Sequence, residues 1–265
     1  MLARRHLFEF NDESWAPEAL RTLIVESLGR TLRWGRMLRG VVEPFLEFTR
    51  THDIKCVLDL ASGSGVPVEL LIEECLAKGE TPPKFILTDL YPRPEIWEPL
   101  RLKYPTFIDY IAKPVDATQV DSALVARSDA RLIVNAFHHL PPSLAESVLR
   151  DAIVSEVPMM VVEPFARDPR AFWRYFPVGL PALLANPLLT SRKPWQQAAM
   201  LYASPVGVCA ALWDGTVSTL RMYSEDDLRD MVSKYSDAYE WHWARHDYAP
   251  YGSGTLFFGA PQETR

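Results

Sequence analysis

Cys56-Val57-Leu58-Asp59-Leu60-Ala61-Ser62-Gly63-Ser64-Gly65 is an apolar run that ends in an acid and passes directly into a loop of small residues. Val57, Leu58 and Leu60 predict a short strand covered on both faces. Gly63 and Gly65 lack a Cβ, so the chain there can turn sharply and bring its backbone close to a ligand. Residues 68–76 carry apolar positions at helical spacing, so the loop opens a helix whose free N–H groups favour an anionic ligand group. Such a strand, loop and helix make either the floor of a nucleotide-type cofactor site or an ordinary glycine turn, and the rest of the chain decides between them.

The same grammar recurs downstream. Residues 84–90 form a second apolar run that includes an acid, Asp89, and is stopped by Tyr91-Pro92-Arg93-Pro94. Residues 107–115 are a third predicted strand, leading into Asp116 and Ala117. Residues 131–137 are a fourth, followed by His138-His139-Leu140-Pro141-Pro142, and residues 159–164 are a fifth, containing Glu163. A helix is predicted over 143–154 with Ser143 as its N-cap, and Ser224 starts another. Residues 239–248 and 255–259 read as a closing pair of strands, which such a short connection makes antiparallel. Strands alternating with helices predict an α/β fold with a mostly parallel sheet covered on both sides.

Two stretches depart from that alternation. Residues 1–50 are aromatic and helical in character, with Trp15, Leu20, Leu23, Ile24 and Leu28 on one face. Residues 165–220 are rich in proline and aromatics and too long for a bare loop. Both are expected to cover the ligand-binding end of the sheet: 1–50 as a helical lid, 165–220 as a cap inserted into a domain spanning 51–265.

The chain has 265 residues, a formal net charge of −6, and hydrophobic and charged fractions of 48% and 23%, as in an ordinary globular protein. The acidic balance argues against general affinity for nucleic acid or anionic membranes. Cys56, Cys75 and Cys209 are scattered without metal-ligand spacing, and read as reduced thiols. The first residues meet charge at Arg4, too early for a secretory signal, and residues 178–189 are too short to span a bilayer. A cytoplasmic location is expected.

In an open parallel sheet, ligands bind beyond the C-terminal ends of the strands. Asp59 with its loop, Asp89, Asp116, Asn135 with His138 and His139, and Glu163 all fall at predicted strand ends. On the 57–65 stretch, the acid in Leu87-Thr88-Asp89-Leu90, the Val115-Asp116-Ala117 step and residues 133–141, the chain resembles the class I S-adenosylmethionine-dependent methyltransferases over roughly 54–164 and 222–261. The first glycine of the usual GxGxG is Ala61 here. The resemblance implies a seven-stranded Rossmann-like sheet with its last strand inserted antiparallel, and S-adenosylmethionine as cofactor. It implies that Asp59, Ala61, Gly63 and Gly65 hold the methionine part and that Asp89 accepts from the ribose hydroxyls. Leu90 would pack on the adenine, Asp116 and Ala117 would meet its amine edge, and Asn135 would line the cleft near the methyl.

Each acid also has a local reading: Asp59 as a turn or helix cap, Asp89 as the start of the Tyr91-Pro92 turn, Asp116 as an N-cap. His138 and His139 are the candidate bases if the acceptor is a hydroxyl, and either also serves as a structural hydrogen-bonding residue. No Asn/Asp-Pro-Pro-aromatic segment follows the fourth strand, and that position lacks the paired acids of metal-dependent enzymes. Methylation of nucleic-acid bases and a metal are therefore not expected. A small, largely apolar organic acceptor methylated on oxygen or carbon is expected instead. Trp15, Trp173, Trp213, Arg221 and Tyr251 are the main candidates for its pocket, with Phe10, Tyr175 and Trp195 beside them. A homodimer is left open. Two rivals stand: a non-methylating protein on the same fold, cyclase-like or regulatory, and a nicotinamide-dependent oxidoreductase, against which Val68 stands where GxGxxG needs its third glycine.

Overall fold

In chain order, the computed structural model builds α1 (Glu18–Trp34), α2 (Val42–Thr51), β1 (Cys56–Asp59), α3 (Val66–Ala77), β2 (Lys84–Leu87), α4 (Pro94–Lys103), β3 (Ile108–Tyr110) and α5 (Ser122–Val125). There follow β4 (Ala130–Val134), α6 (Pro142–Val154), β5 (Met159–Glu163), α7 (Pro169–Phe172), α8 (Phe176–Leu189), α9 (Pro194–Tyr202), α10 (Val206–Arg221), α11 (Glu225–Val232), β6 (Tyr239–Tyr248) and β7 (Gly252–Pro261). The structure describes residues 3–235, 239–248 and 252–262. They fall into two compact units, each built from separate stretches of chain.

The first unit comprises Leu38–Pro164, Ser224–His246 and Gly254–Arg265. It holds a seven-stranded sheet in the order β3-β2-β1-β4-β5-β7-β6, with β1 parallel to β2 and β4, β5 parallel to β4, and β7 antiparallel to β5. Every residue of β4 and β5 is buried, as expected of strands covered on both faces. The strand order reverses between β1 and β4, which opens a crevice where their C-terminal ends diverge. Phe45 of α2 stacks on Phe85 of β2 at 5.9 Å. Arg131, 1% exposed on β4, is held by Asp151 of α6 at 2.5 Å and by the Ser155 hydroxyl at 2.9 Å, while burial draws its pKa down.

The second unit comprises Met1–Met37, Phe165–Tyr223 and Asp247–Ser253. Its helices pack around Leu20, Leu23 and Ile24 of α1, Leu183 of α8, Leu201 of α9 and Ala210 of α10. Buried Asn186 joins three helices: its carbonyl accepts from Arg30 at 2.7 Å, and its amide donates to Gln197 at 2.6 Å. The segment expected as an N-terminal lid thus divides, with α1 in this unit and α2 in the unit that holds the sheet. The stretch expected as an inserted cap is helical, α7 to α10. Pro181 and Pro187 lie inside α8 without ending it. Among the described residues, no helix is long and apolar enough to cross a membrane.

Local chemistry moves several boundaries. β3 is shorter than the predicted 107–115 because the chain leaves regular pairing after Tyr110 on its way to Pro114, which has no N–H to give a ladder. β4 stops at Val134, since Asn135 takes a left-handed φ of 55° and the residues Phe137–His139 coil into a 3-10 turn. Ser143 is not the N-cap of α6: Pro142 starts the helix one residue earlier, with Pro141 at the cap and no side-chain cap bond. Ser224 does cap α11, in a reciprocal box with Asp227.

The Arg131 site tests how far this packing depends on a buried charge. Arg131→Ala should lower the unfolding free energy by about 3 kcal/mol, because it removes one partner of a buried pair. Arg131→Met, which refills the volume, should cost clearly less. Urea titration reads both, and equal losses would show that the ion pair, rather than packing volume, is what matters.

Candidate functional site

The ends of β1 and β2 are stitched together by two hydroxyls. The Asp59 carbonyl accepts from the Ser62 hydroxyl at 3.0 Å and the Thr88 hydroxyl at 2.8 Å, and also from the Thr88 amide at 3.0 Å. The Ser62 amide returns a bond to the Thr88 carbonyl at 2.9 Å. These bonds hold the loop after β1 against the end of β2 while it makes three left-handed steps, at Ala61 (φ 56°), Gly63 (φ 53°) and Gly65 (φ 73°). Only glycine takes such angles without strain, so Ala61 carries a local cost where the resemblance expects glycine.

The two glycines serve different ends. A Cβ on Gly65 would come within 2.8 Å of Leu100 Cδ1 and 3.1 Å of Leu87 Cδ1, so its absence lets the start of α3 pack down. A Cβ on Gly63 would meet nothing within 4 Å, which leaves open space over the loop for a ligand. Gly63 is fixed from both sides: its N–H donates to Asp89 Oδ2 at 2.8 Å, and its carbonyl accepts from Trp97 Nε1 at 3.0 Å.

Asp59 and Asp89 differ in how they hold charge. Asp59 is 2% exposed, and burial, reinforced by the neighbouring Asp89 charge, pushes its carboxyl up to about 8. Asp89 is half-buried and accepts from the Gly63 and Tyr91 amides, one on each oxygen, both at 2.8 Å. Leu90 beside it is half-exposed. Asp116 is exposed, its Oδ1 accepting from the Thr118 amide and hydroxyl in a local turn, and Ala117 is half-buried.

At the end of β4 the Asn135 backbone N–H donates to Val162 O at 2.8 Å, while its buried side-chain Oδ1 has no hydrogen bond among the described residues. A buried acceptor, open space over Gly63 and an acid bonded on both oxygens stand at the C-terminal ends of β4, β1 and β2, and acceptors of this kind are compatible in chemistry with a donor-bearing aminoacyl nucleoside.

His138 and His139 have rings 4.2 Å apart. The buried His138 is gripped by Glu163 of β5: its backbone N–H donates to Oε1 and its Nδ1 meets Oε2, both at 2.9 Å. With the carboxylate as acceptor, Nδ1 is the donor of this pair. Glu163 is itself backed by His246, whose Nε2 lies 3.3 Å from its carbonyl, an approach possible only because residue 254 is glycine.

The remaining expected residues lie in the second unit. Trp15 and Trp173 are each 63% exposed. Trp213 donates from Nε1 to Phe8 O at 2.9 Å. Arg221 is buried, with its guanidinium on Leu7 O, Asp12 at 2.6 Å and Glu9 at 3.4 Å, so it ties residues 7–12 to α10. Asp214 adds to that tie by accepting from the Phe10 and Asn11 amides. Tyr251 lies outside the described residues.

Three residues central to this geometry carry no role in the sequence analysis, Ser62, Thr88 and Trp97, and Glu163 appears there only as a strand-end acid. Ser62 and Thr88 sit one position from motif residues and were legible as hydroxyls there. Trp97 reaches the loop from α4, across 34 residues, which no local pattern encodes.

No protein-family model matches the chain, and no curated protein sequence matches it. Among solved structures, the plantazolicin methyltransferase BpumL in complex with SAH is similar, with a TM-score of 0.58 at 10% identity over 96% of this chain and 94% of that one. Two further BpumL structures contain SAH with a pentazolic or a monoazolic desmethylPZN analog. They match at TM-scores of 0.51 and 0.50, each at 10% identity over 92% of this chain. At such identity the likeness is one of fold: this chain has a methyltransferase-type α/β fold.

The loop geometry ranks three substitutions. Gly65→Ala should cost about 2 kcal/mol through strain and overlap, and Gly63→Ala about 1 kcal/mol through φ alone. Ala61→Gly should be neutral or stabilise by about 0.5 kcal/mol. Thermal denaturation of the three variants gives the order, and a Gly63→Ala less stable than Gly65→Ala would contradict the packing role of Gly65.

Proposed function

We propose that this chain is an S-adenosylmethionine-dependent methyltransferase acting on a small, largely apolar organic acceptor. The observation that carries the reading is the convergence of Asp59, the left-handed Ala61–Gly65 loop, Asp89 and Asn135 at the C-terminal ends of β1, β2 and β4, beside the point where strand order reverses. The SAH held by similarly folded proteins supports the choice of cofactor over a nicotinamide.

When bound, S-adenosylmethionine supplies an activated methyl group on a sulfonium. The work left to the protein is to align the nucleophile with that methyl and to keep water away. In this reading the loop backbone and Asp59 hold the aminoacyl end. Asp89, already organised by two backbone amides, uses its remaining lone pairs for the ribose hydroxyls. Asp116, Ala117 and Leu90 frame the base, and Asn135 Oδ1 takes a donor near the reacting centre. His138, with its proton fixed on Nδ1 by Glu163, presents Nε2 as the base for a hydroxyl acceptor, with His139 beside it. From the sequence, Trp15, Trp173 and Trp213 are proposed as contacts to an acceptor with aromatic or other apolar surface. The azole-bearing analogs bound by BpumL are ligands of that chemistry.

The Asp89 assignment decides the site. Asp89→Ala should weaken S-adenosylmethionine at least about tenfold in calorimetric titration, as expected for loss of a charge-assisted pair of hydrogen bonds. Wild-type affinity in the mutant would remove Asp89 from the cofactor site, and absence of binding in the wild-type protein would remove the site altogether.

A further inference from the structure

The helix α8 is apolar on every side. It holds no charged residue, and its one polar side chain, Asn186, is buried together with Ala182, Leu183 and Pro187. The opposite face, with Pro177, Pro181, Leu184 and Leu188 at helical spacing, is exposed. A helix without a polar side is normally covered all round. The chain beyond it extends the exposed face: Leu188 is 78% exposed, Leu189 56%, and Trp195 at the start of α9 86%. Single apolar residues on a surface are ordinary, but a run of them along one helix face and its following turn marks a surface that meets something.

Charge narrows what that is. From Asp168 to Asp214 the chain has no acid between its ends, while Arg170, Arg174, Arg192 and Lys193 lie within. Acids prevail in the chain as a whole, but they are gathered in the unit that holds the sheet. The helical unit has twelve basic and eight acidic residues, the sheet unit sixteen and twenty-six. The net acidity of the chain therefore does not describe this surface. Arg192 and Lys193 stand exposed in the turn between Leu189 and Trp195. The turn is held in shape: the Arg192 N–H donates to Thr190 Oγ1 at 3.0 Å, the Gln197 side-chain amide donates to the Arg192 carbonyl at 2.9 Å, and Lys193 is paired with Glu18 of α1. Glu18 offsets Lys193, so the attraction for an anion falls mainly to Arg192.

We infer that the outer face of α8 and the α8–α9 turn form a docking surface for an anionic lipid bilayer, on which the protein lies without crossing it. The leucines supply apolar area to the boundary between headgroups and acyl chains, an indole such as that of Trp195 suits the same level, and Arg192 meets the lipid phosphates. A second copy of the chain fits less well. An isologous contact would turn two basic apolar patches on each other, with only Glu18, already bonded to Lys193, to offset them.

Co-sedimentation of the full chain with phosphatidylcholine vesicles, with and without an equal part of phosphatidylglycerol, tests the surface. The protein should bind the mixed vesicles at least about tenfold more tightly than pure phosphatidylcholine, and high salt should weaken that binding. Leu188→Ser combined with Trp195→Ser should cost at least about tenfold in vesicle affinity, and Arg192→Gln combined with Lys193→Gln at least about fivefold. Unchanged melting temperatures would confirm that these exposed positions leave the fold intact. Brominated acyl chains should quench the tryptophan emission of wild type, and that of Trp195→Phe less. No sedimentation with the mixed vesicles, or wild-type binding by the Leu188 and Trp195 double variant, overturns the inference. So does a concentration-dependent dimer that the same variant breaks while no vesicles are bound, since the face then belongs to a second copy. Equal binding to both kinds of vesicle overturns the anionic requirement and with it the role of Arg192. Should either double variant melt early, the wild-type comparison of the two vesicles and the quenching in Trp195→Phe decide.

Discussion

The carbonyl of Asp59 accepts two hydroxyls and an amide at the point where β1 ends, and the rest of the site depends on that knot. Ser62 and Thr88 supply the hydroxyls from the loop after β1 and from the end of β2, so two strand ends and the glycine loop become one rigid piece. With its carbonyl so held, the Asp59 side chain is confined to the interior. The loop then rises through three left-handed residues, and each has its own support: Gly63 from Asp89 and Trp97, Gly65 from the leucines beneath it. The hydrogen bonds that shape the loop are thus inseparable from the acids that give it chemical character.

Electrostatics sets apart the two acids that the pattern made look alike. Asp59 and Asp89 occupy equivalent places at the ends of adjacent paired strands, where Asp59 lies opposite Leu87 in register. One is buried beside a like charge, the other sits at the surface of a turn with a backbone amide on each oxygen. A buried acid beside a like charge and an acid pre-organised by N–H donors thus differ in how readily each carries a negative charge. The His138–Glu163 pair on the next two strands follows the same rule, because its carboxylate is compensated by an imidazole N–H and an amide.

Much of the first unit was legible in the chain. The apolar runs of β1, β2, β4 and β5, the helix that opens after Gly65 and the capping box at Ser224 were read at nearly their observed places. Their signals are local: side-chain burial on both faces, missing Cβ atoms, and a serine three residues before an acid. The errors were also local in origin. Asn135 bends the chain out of β4 through a φ that a polar side chain tolerates, and Pro142 rather than Ser143 starts α6 because its fixed φ already suits a helix. Arg221 is the instructive case among the site residues: in one dimension it is a candidate for the acceptor pocket. In three it is buried and binds Leu7, Glu9 and Asp12, more than 200 residues away in sequence.

The sequence by itself determined the order of strands and helices, the glycine loop and the placing of acids at strand ends, since each follows from period, size or charge within a few residues. Tertiary structure alone decided the reach of Trp97 to Gly63, the grip of Glu163 on His138 and the different environments of Asp59 and Asp89. The physical reason is that burial and counter-charge belong to whatever surrounds a group. Those surroundings are drawn from distant segments of the chain, so residues of the same type, read as equals in sequence, acquire different chemistry when folded.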